Sequence, residues 1–386
     1  MATDTKIEWA DKTWSPLIGC DRVSEGCLGC YAIPQARIRT FNPHPAIAKA
    51  FAGTVDVIDG RVDWTGQVNQ IEDRLTQPFA WRKPVKVFVN SLSDLFHKNV
   101  DYDFVVKVFA IMALTPQHSY QLLTKRHARM RSVLNDLCTC GDGHTPGTHF
   151  RSAMAWAVSH ANPDRIPGLP DDAEQRVNAA AWPLPNLHLG VSVEDQSWAN
   201  IRIPALLAPP PAIRWISAAP HLGPIDLFGK LDYHGHRPKL TYWLDGRPGF
   251  GDPYTTSTGV QMRPLTTGPR LDWVVAGGET GPGARTPHPD WFRTLRNQCA
   301  QAGVPFLFKQ WGDWGPMWPL DKDGRVLTTP RGLGVTVAND GTVYQPGDLT
   351  YPDGPRYGEA LRARHDHAHL TAMYRLGKKK AGRELD

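Results

Sequence analysis

Short apolar runs alternate with amphipathic segments along most of the chain, and this alternation limits the folds that the sequence can adopt. Six runs are rich in β-branched and aromatic residues: Val85–Asn90, Tyr120–Leu123, Leu187–Val193, Arg214–Ser217, Trp273–Ala276 and Pro305–Phe308. They are nearly continuous in apolar character, which is typical of strands buried on both faces of a parallel sheet. Amphipathic segments lie between several of them: Asp103–Leu114, Arg126–Leu137 and Pro289–Ala302. With a short strand near Thr13–Leu17, this order predicts about seven β-α units and therefore an α/β fold with a full or partial (β/α) barrel.

Three stretches rich in Gly, Pro and polar residues interrupt the alternation, at about 139–183, 221–270 and 312–356. We interpret them as loop insertions rather than as separate domains. This interpretation predicts a barrel over residues 1–315 and a C-terminal extension over residues 316–386.

The C-terminal extension carries two local patterns. Asn339-Asp340-Gly341 precedes Thr342-Val343-Tyr344, an order that favours a surface β-hairpin. The run Lys378-Lys379-Lys380 lies near the end and is expected to be a solvated, unstructured tail.

The charge balance and the hydropathy pattern exclude some classes of protein. Lys and Arg number 43 against 38 Asp and Glu, a surplus that suits a polyanionic substrate but is smaller than that of a dedicated DNA-binding protein. No stretch approaches the roughly 20 apolar residues that span a bilayer, and the first residues lack the basic and apolar pattern of a signal peptide. We therefore expect a cytoplasmic protein with no membrane partner.

Three of the six cysteines lie close together, at Cys20, Cys27 and Cys30. Thiolates on one loop are soft ligands that select iron–sulfur clusters or zinc. Three cysteines leave one iron of a 4Fe–4S cluster open to another ligand, whereas a structural zinc site normally takes all four ligands from the protein. The group therefore predicts an iron–sulfur cluster, and the alternative is a zinc site completed by a distant His or Cys.

The cysteine loop resembles that of radical S-adenosylmethionine enzymes, which has a shorter gap between its first two cysteines and the same gap before the last. Gly29 stands where that loop usually has an aromatic residue, and Tyr31 follows the last cysteine directly. A closer resemblance, over about residues 6–315, is to the phage three-cysteine-motif family, also called the phage gp-thirty-seven/gp-sixty-eight family. The other motifs that carry it are Lys6–Trp9, Thr13–Pro16, Ser91–His97, Leu122–Arg126, Leu189–Glu194, Gly277–Pro282, His288–Trp291 and Phe308–Gly312.

This resemblance implies a radical-type barrel with a 4Fe–4S cluster on the three cysteines. It further implies S-adenosylmethionine as the ligand of the remaining iron, and a one-electron donor such as flavodoxin or ferredoxin. It does not imply a substrate.

Polar residues follow most of the predicted strands, and in a barrel such positions converge at the carboxyl ends of the strands. The candidates are Ser91, Ser93, Asp94, Ser192, Glu194, Glu279 and Lys309. We predict that the first five hold S-adenosylmethionine and that Glu279 and Lys309 act on the substrate. The alternatives are helix capping for the serines and Asp94, a tight backbone turn at Gly277-Gly278, and a surface ion pair for Lys309.

A second group of metal-binding residues lies in the first predicted insertion: Cys138, Cys140, His144 and His149. Two thiolates and two imidazoles are sufficient ligands for zinc. The close spacing of the two cysteines is unlike that of common zinc ribbons, so a loop with reduced thiols is the alternative.

Three functions agree with these patterns. The first is a radical enzyme that modifies or repairs a nucleotide or a DNA or RNA base, which the basic surplus favours. The second is a radical enzyme acting on a small metabolite or peptide, and it predicts no salt-dependent binding of nucleic acid. The third is a metal-stapled binding protein without turnover, and it predicts zinc in the cysteine triplet.

Overall fold

The computed structural model describes residues 5, 7–135, 147–161, 168–228, 230–232, 239–246, 254–262, 268–316, 334–345, 348 and 370–385. The strands are β1 (Lys12–Trp14), β2 (Leu17–Ile18), β3 (Val55–Ile58), β4 (Arg61–Trp64), β5 (Asn69–Gln70), β6 (Lys86–Val89), β7 (Ser119–Thr124), β8 (Leu187–Ser192), β9 (Ile213–Ala218), β10 (Lys230–Asp232), β11 (Lys239–Thr241), β12 (Tyr254–Thr255), β13 (Gln261–Met262), β14 (Trp273–Gly277), β15 (Phe306–Gln310), β16 (Trp314–Gly315), β17 (Gly334–Val337), β18 (Val343–Tyr344) and β19 (Thr371–Arg375). The helices are α1 (Ala32–Thr40), α2 (Pro45–Phe51), α3 (Tyr102–Leu114), α4 (His127–Leu134), α5 (Thr148–Ser159), α6 (Ala173–Ala179), α7 (Gln196–Leu207), α8 (Pro289–Ala302) and α9 (Lys378–Ala381).

The main sheet has seven strands in the order β1-β6-β7-β8-β9-β14-β15. The pairs β1–β6, β6–β7, β7–β8 and β14–β15 are parallel. Six of these strands coincide with the six predicted apolar runs, because strands covered by helices on both faces leave a continuous apolar signal in the sequence. The α/β class is confirmed, and the sheet is compatible with a partial barrel.

The strand predicted near Thr13–Leu17 is in fact two strands in two different sheets. β1 pairs with β6, and β2 pairs antiparallel with β5. Pro16 lies between β1 and β2. Proline has no N–H to donate to a sheet, so the pairing of β1 ends before it.

Residue contacts divide the chain into two units, and the first comprises Met1–Ser192 and Pro204–Trp215. In this unit the rings of Trp14 and Tyr120 lie 5.6 Å apart, and Phe109 of α3 meets Phe150 of α5 edge to face at 5.0 Å. The interval 139–183, expected to be a loop insertion, contains α5 and α6. Burial of apolar side chains such as Phe150 stabilises helix here in spite of the polar composition.

The second unit comprises Val193–Ile203 and Ile216–Asp386. It contains β14, α8 and β15, and a four-stranded sheet in the order β16-β19-β17-β18. The hairpin predicted around Asn339-Asp340-Gly341 is confirmed, because β17 and β18 pair antiparallel on either side of it. The basic run is not an unstructured tail: it forms α9, and Ala381 at its end is fully buried.

None of the helices in the described part of the chain is long and apolar enough to cross a membrane.

Candidate cluster-binding site

The cysteine loop begins with a turn that only glycine can form. Gly19 has φ +105°, and a Cβ atom there would lie 2.1 Å from the carbonyl oxygen of Gln67. Two hydrogen bonds then tie this turn to the segment after β6. The N–H of Gly19 donates to the oxygen of Leu92 at 3.3 Å, and the hydroxyl of Ser93 donates to the oxygen of Leu17 at 2.7 Å. The start of the loop is therefore fixed against the end of β6.

The three cysteines of the loop are all reduced and half-buried. Cys27 ends a short 3-10 helix, and Cys30 lies just before α1. Cys20 and Cys30 contact an apolar cluster formed by β2, α1, α2, β3 and β4. Next to Cys30, the hydroxyl of Tyr31 donates to the carbonyl oxygen of Ser91 at 2.7 Å. Both ends of the cysteine loop are therefore anchored to the segment that follows β6.

Burial keeps two of the thiols protonated. It raises the pKa of Cys20 to about 12, and the positive charge of Arg126 opposes this only in part. Burial also raises the pKa of Cys30, while the backbone N–H groups of Ala32 and Ile33 at the start of α1 oppose it. A metal that binds these sulfurs must therefore displace protons, and Arg126 and the helix start favour the thiolate form.

Asp94 is buried and accepts four hydrogen bonds. One oxygen accepts from the hydroxyl of Thr124 at 2.7 Å and the N–H of Phe96 at 3.0 Å. The other accepts from the N–H of Lys125 at 3.0 Å and the guanidinium of Arg126 at 3.2 Å. Because protein donors engage both oxygens, Asp94 orients the residues that follow β7.

Arg126 connects Asp94 to the cysteine loop. Its side chain is 10% exposed. Its Nη1 donates to the sulfur of Cys20 at 3.6 Å, and its Nη2 donates to the backbone oxygen of Asp21 at 3.2 Å and to the carboxylate of Asp21. Nε2 of the fully buried His97 lies 3.3 Å from the same carboxylate. Burial and the charge of Arg126 lower the pKa of His97, so this imidazole is neutral.

In the part of the chain that the structure describes, no group of three or more His, Cys, Asp or Glu side chains is arranged to hold one metal ion. The charge of Cys27 contributes to the raised pKa of both Cys20 and Cys30, after the larger effect of burial.

The other predicted site residues are divided between the two units. The first unit holds Ser91, Ser93, Asp94 and Ser192, and the second holds Glu194, Glu279 and Lys309. Ser192 ends β8 and is buried.

The two predicted site glutamates, Glu194 and Glu279, are each paired with an arginine. Glu194 is fully buried and accepts from Nη1 of Arg202, itself fully buried, at 2.8 Å. Glu279 accepts from Nε and Nη2 of Arg285 at 2.8 and 2.7 Å, and from its backbone N–H at 2.9 Å. Each carboxylate therefore carries a fixed negative charge with limited remaining capacity to accept hydrogen bonds.

The glycines before Glu279 serve a close approach of two backbones. A Cβ atom on Gly278 would lie 1.8 Å from the carbonyl oxygen of Trp311, which only glycine avoids. Lys309, in the adjacent strand β15, has its pKa lowered to about 8 by burial and by the nearby charge of Lys378. Lys309 is therefore not an ordinary surface lysine, and it exchanges protons near neutral pH.

The second group of metal-binding residues is only partly described. Cys138, Cys140 and His144 lie outside the described residues. His149 is exposed in the first turn of α5. The zinc site predicted there stays a prediction.

The comparisons with known proteins concern the whole chain. The family described as "Protein of unknown function (DUF5131)" matches residues 4–386. The chain belongs to the DUF5131 family. Neither the curated proteins nor the solved structures give a significant match.

One residue of this DUF5131 chain that the sequence reasoning missed is Asn90. It follows β6 directly and has φ +59°. Its side chain is 4% exposed, and neither atom of its amide has a hydrogen-bond partner among the described residues. Asparagine tolerates the left-handed region better than most residues, so an Asn at the end of an apolar strand was the available signal. A buried amide without partners favours an interaction with a ligand.

Proposed function

We propose that the chain is a radical S-adenosylmethionine enzyme, that Cys20, Cys27 and Cys30 hold its 4Fe–4S cluster, and that it acts on a nucleotide or a nucleic-acid base. The observation that carries the proposal is the cysteine loop itself. Its three reduced thiols lie within eleven consecutive residues, and a buried guanidinium donates to one of them. When bound, the cluster would supply the single electron that cleaves S-adenosylmethionine reductively.

The protein's own residues have two roles at this site. Arg126 places a positive charge against the thiolates and donates an N–H to the sulfur of Cys20, an arrangement that favours the charged form of a sulfur ligand. Asp94 and Ser93 are positioning residues, because their side chains already hold Arg126 and the start of the cysteine loop. Asn90 and Ser91, which directly follow β6, are the residues proposed to offer polar groups to the cofactor.

The reacting groups of the second unit are proposed on their charge and proton affinity. Glu194 and Glu279 contribute fixed negative charge, with Glu194 proposed for the cofactor and Glu279 for the substrate. Lys309 is the proposed acid–base residue, because a group with a pKa of about 8 both gives and takes protons near neutral pH.

The substrate class rests on charge. Lys and Arg exceed Asp and Glu by 43 to 38, a balance that favours a phosphate-bearing substrate. The test is binding of short DNA and RNA oligonucleotides at two salt concentrations. Affinity that falls as salt rises supports the nucleic-acid class, and the absence of binding favours a small metabolite or peptide.

The test of the cluster is purification without oxygen, followed by measurement of iron, sulfide and zinc. We expect about four irons per chain, and 5′-deoxyadenosine after addition of dithionite and S-adenosylmethionine. Cys27→Ala loses both. Cys299→Ala, which removes the buried cysteine of α8 far from the loop in sequence, is the matched control and keeps both. Zinc without iron, or a cluster that never cleaves S-adenosylmethionine, would contradict the proposal.

A further inference from the structure

Large apolar side chains are exposed along the cysteine loop and the helix that follows it. Leu28 is 54% exposed, Tyr31 50%, Ile38 72% and Phe41 68%. We name these four residues the apolar stripe. The opposite face of α1 buries Ala32, Ile33 and Ala36, so the helix is anchored in the core while the stripe faces outward. A concentration of apolar side chains of this kind on one surface is typical of a site that another molecule covers.

The apolar stripe lies in a stretch of chain that carries only positive charge. Between Glu25 and Asp56 there is no acidic residue, while Arg37, Arg39 and Lys49 are present. The guanidinium carbon of Arg37 lies 4.6 Å from the centroid of the Phe41 ring, so cationic and apolar groups share one surface. A partner with an acidic, partly apolar face complements such a surface.

The apolar stripe is continuous with the proposed cluster ligands. Leu28 and Gly29, between Cys27 and Cys30, are exposed, while the cysteines on either side are half-buried. The cysteine loop therefore reaches the surface where the stripe begins. A protein that covers Leu28 comes within a few residues of two sulfur ligands.

We propose that the apolar stripe, with Arg37, is the docking surface for a small acidic electron-carrier protein. In the docked complex the reduced carrier loses one electron, and the cluster gains it. This inference rests on the proposed function. A nucleic acid would also meet positive charge here, but the exposed aliphatic side chains of Leu28 and Ile38 are better covered by the apolar face of a protein.

The experiment compares two reductants. Reduced flavodoxin, or separately reduced ferredoxin, must dock before it transfers an electron, whereas dithionite needs no docking surface. Arg37→Glu and Ile38→Glu should lower the rate of cluster reduction by either carrier about tenfold or more, most strongly at low salt, because a repulsive charge removes electrostatic steering. Reduction by dithionite should proceed at the wild-type rate. Ile201→Glu, at a half-exposed isoleucine of α7 (49%), is the control.

A binding measurement separates this inference from the proposed function. Calorimetric titration of oxidised flavodoxin or ferredoxin into each variant needs no electron transfer, and we expect the two stripe variants to bind about tenfold more weakly than wild type and Ile201→Glu. Wild-type protein that binds a carrier but contains no iron would defeat the proposed function while the docking surface stands. Carrier binding and reduction that are equal in all variants, no binding of either carrier to wild type, or a loss confined to nucleic-acid binding would overturn the inference.

Discussion

The two units hold their acidic side chains in different ways. In the first unit the single guanidinium of Arg126 donates to Asp21, Asp94 and the sulfur of Cys20. In the second unit Glu194 is paired with Arg202, and Glu279 is paired with Arg285. One arginine shared by two carboxylates leaves less positive charge per carboxylate than one arginine for each. The site with the shared arginine is therefore the one that needs additional positive charge.

At the cysteine loop, the positive and negative charges balance only while the thiols keep their protons. Arg126 and the exposed Lys98, whose Nζ lies 3.6 Å from Asp21, offset two carboxylates. His97 adds nothing because burial lowers its pKa. Loss of protons from three cysteines would leave negative charge without compensation. Bound metal cations supply the compensating positive charge. The pairs Glu194–Arg202 and Glu279–Arg285 of the second unit each contain one positive and one negative charge, so they have no such deficit.

The largest effect on stability is expected where the buried ion pair between Glu194 and Arg202 is broken. Arg202→Ala leaves the carboxylate of Glu194 buried without its cation, which should lower the free energy of unfolding by about 3–5 kcal/mol. Urea denaturation measures the loss. The double variant Glu194→Leu/Arg202→Met should recover most of it, because a buried pair replaced by apolar groups is often neutral. A loss below about 1 kcal/mol in the single variant would show that the carboxylate of Glu194 does not depend on Arg202 to compensate its charge.

The shared guanidinium should show a smaller effect on stability and a distinct effect on iron. Arg126→Ala should lower the free energy of unfolding by about 1.5–3 kcal/mol, as expected for lost hydrogen bonds to charged groups, and should lower the iron content per chain. Arg126→Lys keeps the charge and should retain more iron than the alanine variant. Arg22→Ala, which breaks a half-exposed ion pair with Asp63, is the control and should cost less than about 1 kcal/mol. Equal iron in all three variants would remove Arg126 from the proposed site.

Lys309 tests the second unit through pH. Burial lowers its pKa from 10.5 to about 8. Between these two values the folded protein binds fewer protons at this site than the unfolded chain does, so its contribution to stability rises with pH. Urea denaturation of wild type and Lys309→Met, from about pH 7 to about pH 10, should show wild type gaining on the variant above pH 8. Lys49→Met, at an exposed lysine, should not show this gain. A pH-independent difference would mean that Lys309 is solvated like Lys49.

The sequence predicted the buried strands well and the pairing of side chains poorly. The run Leu187–Val193 became β8 almost residue for residue, because apolar continuity is a local property. By contrast, Arg126 meets Asp21 across 105 positions of sequence, and nothing local to either residue encodes that contact. The same holds for Glu194, because its position after a predicted strand gave no sign of its pairing with Arg202.

Composition also concealed helices. The stretch 139–183 is rich in Gly, Pro and polar residues, and these outweighed the apolar spacing of Phe150 and Met154 that α5 buries. The segment 42–80, with α2 and the β3–β4 hairpin, carries short elements whose apolar residues form one cluster with those of β2 and α1, and Cys20 and Cys30 pack against this cluster. Elements of this length take their stability from such tertiary contacts, which a single sequence does not show.

The smallest effects on stability are expected from glycine substitutions at residues with positive φ. Ligand binding by these variants tests whether such a residue contacts a ligand or only forms a turn. The described non-glycine residues with positive φ are Asp59 and Asn90. Asp59 lies in the exposed turn between β3 and β4, so Asp59→Gly should raise the free energy of unfolding by about 0.5–1 kcal/mol and leave cofactor binding unchanged. Asn90→Gly relieves the same backbone conformation, and the amide it removes makes no hydrogen bond to the described residues. Its stability should therefore rise by a similar amount, about 0.5–1 kcal/mol, while S-adenosylhomocysteine, titrated by calorimetry, should bind about tenfold more weakly.

Asn90→Asp sharpens this last comparison, because it keeps the size of the side chain and its acceptor oxygen but loses the N–H donor. If the ligand accepts a hydrogen bond from Asn90, the aspartate variant should bind as weakly as the glycine variant. If the ligand only donates to Asn90, the aspartate variant should bind as wild type does. Binding that is unchanged in both variants would show that the buried amide of Asn90 is a feature of the turn after β6 and not of the cofactor site. The proposed site in the first unit would then rest on the three thiols and Arg126 alone.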